Sequence, residues 1–299
     1  MFHIIYSAPR NLDDSIMAEM ARVDQALSIF NPISEISAIN TGKCFRAGPY
    51  VTDVFEISRQ VSALSDGAFD PTVRPLVDLW GFGPGAPPSD TITPPAPEAL
   101  DSALALVGIQ DCRIAPDGAI AKKHPLTRFD FSAVAKGYGV DRVAEVLRRN
   151  GARNFMVEIG GEVSLQGLNP RGLPWHIRIE APAESPDISR SLAVRAFGPE
   201  PAAIASSGNY RNFRTDSLGH RYGHTISPRT GRPAQSDVRA STVITRGDCA
   251  RADALATAAM AMPSALAERM LRQAGVNAIL LVADADSLKM IEIAPSSDN

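Results

Sequence analysis

FDFSAVAKGYGVD, residues 129 to 141, is the stretch from which the rest of the chain is read. Asp130 sits between Phe129 and Phe131, which predicts a short strand, and a helix begins at Ser132. Val140, Val143, Ala144 and Leu147 then recur at helical spacing until Asn150-Gly151 ends the run. The helix entrance therefore carries a carboxylate (Asp130), two small residues (Ser132, Ala133) and, one turn on, the Lys136 ammonium. Small residues admit close approach to the backbone, and helix N-termini attract anions. A phosphate-bearing ligand suits this arrangement. An amphipathic helix N-capped by Ser132, with Lys136 in solvent, accounts for the same residues.

Upstream, HIIYS (residues 3–7) reads as a strand. A helix follows from about Leu12, with Met17, Met20, Val23, Leu27 and Phe30 on one face, and ends at Asn31-Pro32. SEISAIN (34–40) predicts a further helical turn, and Val51 to Leu64 a second amphipathic helix stopped by Asp66-Gly67. GAFDPTVRPLVDLWGFGPG (67–85) matches no regular element and reads as an ordered functional loop. Its GFGPGA has the wrong spacing for a dinucleotide motif. Residues 84–97, rich in proline, predict an exposed loop, and a helix then runs to about Leu106. Asp117-Gly118 between CRIA and AIAKK is a hairpin signal.

Downstream, NFMVEI, EVSLQG, WHIRIE and LAVRAF read as strands of one antiparallel sheet. AAIAS (202–206) is another, running into a tight turn at Ser206-Ser207-Gly208-Asn209. STVIT (241–245) precedes an alanine-rich helix from Ala250 to Met262 broken by Pro263; a second helix reaches Gly275. NAILLVA and LKMIEI close the chain as a hairpin around Asp284 to Asp286. Helices and strands interspersed without strict alternation point to an α+β fold.

The chain has 299 residues, 44% of them hydrophobic and 21% charged, the balance of a globular protein. A net charge of −3 offers no basic footprint, which argues against nucleic acid as a partner. No apolar run reaches the length of about 18 residues that a transmembrane helix needs, and MFHIIYSAPR is not read as a signal peptide. Cys44, Cys112 and Cys249 are too scattered for a metal site or disulfide framework and read as buried thiols.

Two constellations carry chemistry. Asp253 and Thr257, at i and i+4 on the alanine-rich helix, lie about 6 Å apart on one face and offer the oxygen donors that Mg²⁺ takes beside phosphate oxygens. Dipole complementation by Asp253 and back-bonding by Thr257 explain the pair as well. The alanines around them imply that something packs very close to this helix. In RYGHTISPRTGRP, His224 precedes a turn fixed by Pro228 and Gly231, where a histidine can serve as a general base. The glycine pair of MVEIGGEV permits close backbone approach at a strand end.

Taken together, DGAFDPTVRPLVDLWGFGP, FDFSAVAKGYGVD, VEIGGEV, SSGNYRNF, HTISPRTGRP and ADALATAAM follow the order seen in the FAD:protein FMN transferases, the ApbE-like flavinyl transferases. The chain resembles that family from SEISAIN to the C-terminal hairpin. The resemblance implies a single domain over residues 1–299, with antiparallel sheets, flanking helices and an FAD cleft between two intimately joined lobes. It implies an enzyme that cleaves the FAD pyrophosphate and passes FMN to a threonine hydroxyl of an acceptor protein, a redox or electron-transfer protein, releasing AMP. It assigns Ala68, Phe69, Asp70, Asp130, Lys136, Thr225 and Phe30 to FAD, Mg²⁺ to Ala133 (through its carbonyl), Asp253 and Thr257, and the base to His224. It suggests the periplasm or the periphery of the inner membrane, with the cytoplasm open.

Three positions depart from the family pattern. The chain starts at Met1-Phe2, inside a strand that usually opens with a flavin-touching Met-Gly-Thr. Phe30 replaces a common tyrosine, and Ser227 replaces the Asp of a His-x-x-Asp-Pro turn. FAD hydrolysis, with water in the acceptor's place, and FAD binding without turnover are the alternative readings.

Overall fold

The computed structural model describes residues 1–86, 89, 91–180, 191–208, 213–284 and 287–295. In chain order the first half comprises β1 (Phe2–Ser7), α1 (Asp13–Leu27), α2 (Glu35–Asn40), α3 (Pro49–Leu64), α4 (Arg74–Leu79), α5 (Pro97–Leu104), β2 (Arg113–Ile114), β3 (Ile120–Ala121) and α6 (Ser132–Arg149). The strands β4 (Asn154–Ile159), β5 (Glu162–Gln166), β6 (Trp175–Glu180), β7 (Ser191–Phe197), β8 (Ala202–Gly208), β9 (Phe213–Thr215), β10 (Arg221–Gly223) and β11 (Val238–Thr245) follow. Helices α7 (Cys249–Met260) and α8 (Ser264–Gln273) and the pair β12 (Asn277–Asp284) and β13 (Ser287–Ile293) complete the fold.

Seven strands form one sheet in the order β1-β4-β5-β8-β11-β12-β13, every neighbouring pair antiparallel. The α+β reading holds. Side chains alternate between faces along each strand, and the sheet is covered on both. Phe155, Val157 and Ala203 point at α1 and α6, while Ala205 meets the core that includes α3, α7 and α8. Val163, Leu165, Ala202 and Ile204 point the other way, onto Trp175 of β6. The same alternation turns Glu162 and Ser164 toward the helices. A smaller core of Leu76, Trp80, Leu100, Val107 and Ile226 holds α4 and α5 under β10 and the turn after it.

Several sequence-based expectations change. WHIRIE and LAVRAF do not join the large sheet; among the described residues β6 and β7 pair only with each other, and they lie across it. Their alternation is that of any half-buried hairpin and does not say which sheet they enter. Phe129 to Phe131 forms no strand, and Phe131, with ψ near 14°, already leads into α6. The Asn40 side chain takes the place of a neighbouring strand, accepting from the Phe129 amide and donating to its carbonyl, both at 2.7 Å. Residues 67–85 contain a 3₁₀ turn (Pro71–Val73) and α4, each with proline in its first turn, where the missing N–H costs nothing.

Phe30 lies beyond the end of α1, and Met17 is exposed; the buried face is Ile16, Glu19, Val23, Ala26 and Leu27. Ser206-Ser207-Gly208 stays in β8, paired with β11, rather than turning; Asn209 lies outside the described residues. So do Pro87, Pro88 and Asp90 of the proline-rich loop, and Ala285 and Asp286 of the last hairpin. All three cysteines are free, Cys112 and Cys249 buried and Cys44 half-buried.

Candidate active site

Two helices cross at the centre of the site, and local sequence dictates how closely. A Cβ on Gly137 of α6 would lie 2.4 Å from the carbonyl oxygen of Cys249 at the start of α7. Only glycine permits that crossing. Asp141, one turn on, accepts from the Cys249 and Ala250 amides at 3.0 and 2.8 Å, so α6 supplies a cap for α7. Asp248 caps it from within, accepting from the Arg251 amide. With the alanines of α7 buried on all sides, Asp253 is pinned beside the first turn of α6.

There Gly137 N–H donates to Asp253 Oδ2 at 3.1 Å, and Lys136 Nζ stands 3.5 Å from Oδ1. The Ala133 carbonyl, the usual acceptor for residue 137 in a helix, does not have that amide to itself. Lys136 also pairs closely with Glu162, at the start of β5. Gly160-Gly161, both with positive φ, make the two-residue turn that brings β5 back and sets Glu162 there. Glu162 and Asp253 are 2% and 1% exposed. Burial, and for Glu162 the neighbouring Asp253 charge, pushes both carboxyls above their ordinary range. Burial opposes the charge on Lys136, and the two carboxylates overcome it, raising the ammonium.

Two carboxylates against one ammonium leave the buried cluster short of positive charge, and Glu162 Oε2 has no hydrogen-bond partner among the described residues. Thr257, one turn after Asp253, has its hydroxyl 3.2 Å from that of Ser207. Among the described residues no three His, Cys, Asp or Glu side chains form a metal cluster. The residues that could hold a metal here are the ones the resemblance assigned, Asp253, Thr257 and the Ala133 carbonyl, few and all oxygen donors. That set fits Mg²⁺ completed by substrate phosphate and water, and does not fit a cage for a softer metal.

All these groups face one cleft of about 490 Å³. Ala68, Phe69 and Asp70, then Asp130, Ala133, Lys136, Asp253 and Thr257, and finally His224 and Thr225 line it, with Phe30, 71% exposed, at its rim. Each residue that the resemblance assigned to FAD, metal or base thus lines the same cleft. Their uses differ. Both Asp70 oxygens are already engaged, Oδ1 by the Thr72 amide and hydroxyl and Oδ2 by the Ile109 amide at 2.9 Å, which fixes the Ala68–Asp70 backbone. Asp130 accepts from the Ser132 amide at 2.9 Å and so opens α6 in place of an N-cap by Ser132 itself.

The turn after β10 brings His224 to the cleft from the smaller core. Trp80 donates its indole N–H to the Gly231 carbonyl at 2.7 Å, Ala234 N–H donates to Thr225 O, and Arg229 pairs with Asp66. The His224 ring stands edge-on to Phe82, centroids 6.4 Å apart. Ser227 does not face the cleft; its hydroxyl accepts from the Thr230 amide at 3.3 Å inside the turn. Sequence reasoning missed Glu162. Its only signal was a charge opening an apolar strand directly after Gly-Gly.

The ApbE family model matches residues 1–280. The FAD:protein FMN transferase of Vibrio cholerae is 36% identical over 292 residues, covering 97% of this chain and 81% of that protein. The FAD:protein FMN transferase of Escherichia coli K12 is 30% identical, with 93% and 78% covered. Among solved structures, the flavin transferase ApbE from Vibrio cholerae superimposes with a TM-score of 0.85 at 35% identity, covering 98% of this chain and 93% of that one. The apo flavinyl transferase ApbE of Pseudomonas stutzeri gives 0.86 at 30% identity, covering 98% and 90%.

Proposed function

The chain belongs to the ApbE family, and on that premise we propose that it transfers FMN from FAD to a threonine hydroxyl of an acceptor protein in a Mg²⁺-dependent reaction. It is a flavinyl transferase. The observation that carries the finer reading is the convergence of the Lys136–Glu162–Asp253 cluster and the His224 turn on one cleft. The helix crossing supplies oxygen donors and a cation for a pyrophosphate; the turn supplies a base.

Asp253, Thr257 and the Ala133 carbonyl would hold Mg²⁺, which when bound offsets charge on the pyrophosphate oxygens and helps orient them. Lys136 adds a second positive charge, held by Glu162. Ala68 and Phe69 offer the flavin apolar surface, Phe30 a ring at the rim, and Asp70 keeps their loop in shape. Thr225 and Asp130 give polar contacts. His224 takes the proton of the attacking threonine hydroxyl. The threonine oxygen then bonds to the FMN phosphorus as the pyrophosphate P–O bond breaks, and AMP departs with the bridging oxygen. Positioning and charge stabilisation do most of the work, with no covalent enzyme intermediate.

The test combines the purified protein, FAD and Mg²⁺ with an acceptor domain carrying a flavinylation-type threonine. The expected result is flavin fluorescence on the acceptor in a denaturing gel, abolished by EDTA. FMN and AMP without a labelled acceptor would replace the reading by FAD hydrolysis. Bound FAD with neither product would reduce it to binding.

A further inference from the structure

Beside the cleft lies a second cavity of about 390 Å³, and it shares Ala68 and Ala261 with the first. Its floor is apolar, with Leu64, Met262 and Met270, and Leu266 is 39% exposed at its edge. Its charged lining is three guanidinium groups against the single carboxylate of Asp66. Arg229 is taken by Asp66. Arg232 and Arg269 are exposed and have no ion-pair partner among the described residues. A net positive groove on a chain of net charge −3 is a local feature.

The turn that carries His224 forms the wall between the two cavities: His224 lines the cleft and Ser227, three residues on, lines the groove. An acceptor chain seated in the groove has only this wall to cross to bring a hydroxyl to His224. In an extended chain, at about 3.3 Å per residue, positions three to five away from the threonine reach roughly 10–16 Å, the scale of a neighbouring groove. We propose that the groove is the docking site for the acceptor protein, and that it takes an extended segment whose apolar side chains enter the floor and whose acidic side chain meets Arg232 and Arg269. This rests on the transferase reading above. Charge complementarity of this kind selects among partners more than it adds raw affinity.

The experiment is a display library of 15-residue segments, each with a central threonine and randomised flanks, selected for binding to the intact protein in the presence of FAD. The expected result is enrichment of Asp and Glu together with apolar residues. In the double variant Arg232→Glu, Arg269→Glu that acidic enrichment falls by about tenfold or inverts toward Lys and Arg, because like charges now face each other. FAD binding, followed by flavin fluorescence, is unchanged. No enrichment, enrichment indifferent to charge, or the same acidic preference in the variant overturns the proposal. A matching loss of FAD affinity in the variant also overturns it, giving the groove to the adenylate half of FAD.

Incubating the same library with FAD and Mg²⁺ keeps the two readings apart. Labelled threonines without an acidic preference leave the transferase standing and remove the groove. An acidic preference with no labelled threonine does the reverse.

Discussion

Replacing Asp253 with alanine removes the carboxylate that engages the Gly137 amide and Lys136, and with it the only charged donor in the proposed Mg²⁺ set. Lys136 keeps Glu162, so the fold persists. FMN transfer is expected to fall by about a hundredfold or more, on the scale set by losing a metal or an oriented charge. A Mg²⁺ titration of wild type and variant, with circular dichroism as the control, checks this; wild-type turnover at ordinary Mg²⁺ would remove Asp253 from the metal site. His224→Ala acts on the proton rather than on binding. Its FAD affinity stays unchanged while transfer slows by roughly 10²–10⁴-fold, the usual worth of a general base. Unaltered transfer in single-turnover assays would end the base assignment.

The element that positions the site is the α6–α7 crossing, and Gly137 tests it. In an ordinary helix interior Gly→Ala stabilises by about 0.5–1 kcal/mol. Here the added methyl would sit 2.4 Å from the Cys249 carbonyl oxygen, and a backbone atom cannot rotate away. The sign reverses: Gly137→Ala is expected to cost about 1–3 kcal/mol, as overpacking does. It also pushes Asp253 away from Lys136, so Mg²⁺ binding at the proposed site is expected to weaken along with stability. Urea unfolding measures the first effect. A variant as stable as wild type would mean that the crossing tolerates displacement and that its closeness is not what holds the site.

At the scale of the whole molecule, Asp141 links folding to pH. Burial pushes its carboxyl up to about 7, against the two α7 amides that favour the charged form. A carboxyl raised by folding stabilises the native state while it is protonated. That contribution is whole below its unfolded value, near 4, and is lost as the pH rises through about 7. Asp141→Asn cannot titrate, and the raised carboxyls of Glu162 and Asp253 are common to both proteins. The unfolding temperature of wild type minus that of the variant should therefore fall between pH 4 and 8. A difference that stays flat across that range would show that Asp141 is charged throughout.

The sequence by itself determined what is local. Apolar spacing located α3, α6, α7 and α8 with ends off by up to two residues, and Asp66-Gly67 and Asn150-Gly151 marked helix ends because those residues tolerate the backbone that a helix end needs. The ordered motifs named the family, since they keep chemical groups at fixed spacing. Tertiary structure alone decided which groups meet. Glu162 and Asp253 are far apart in sequence and reach one ammonium only because β5 turns inward where α6 and α7 touch. Asp70 Oδ2 accepts from the Ile109 amide, 39 residues away, and Ser227 turns from the cleft. Whether β6–β7 join the large sheet or cover it is likewise invisible to alternation, which records that one face is buried and not what buries it. Periodicity reports the environment of a residue within its own element; partners across the chain depend on how the elements pack, and that is settled by the whole fold at once.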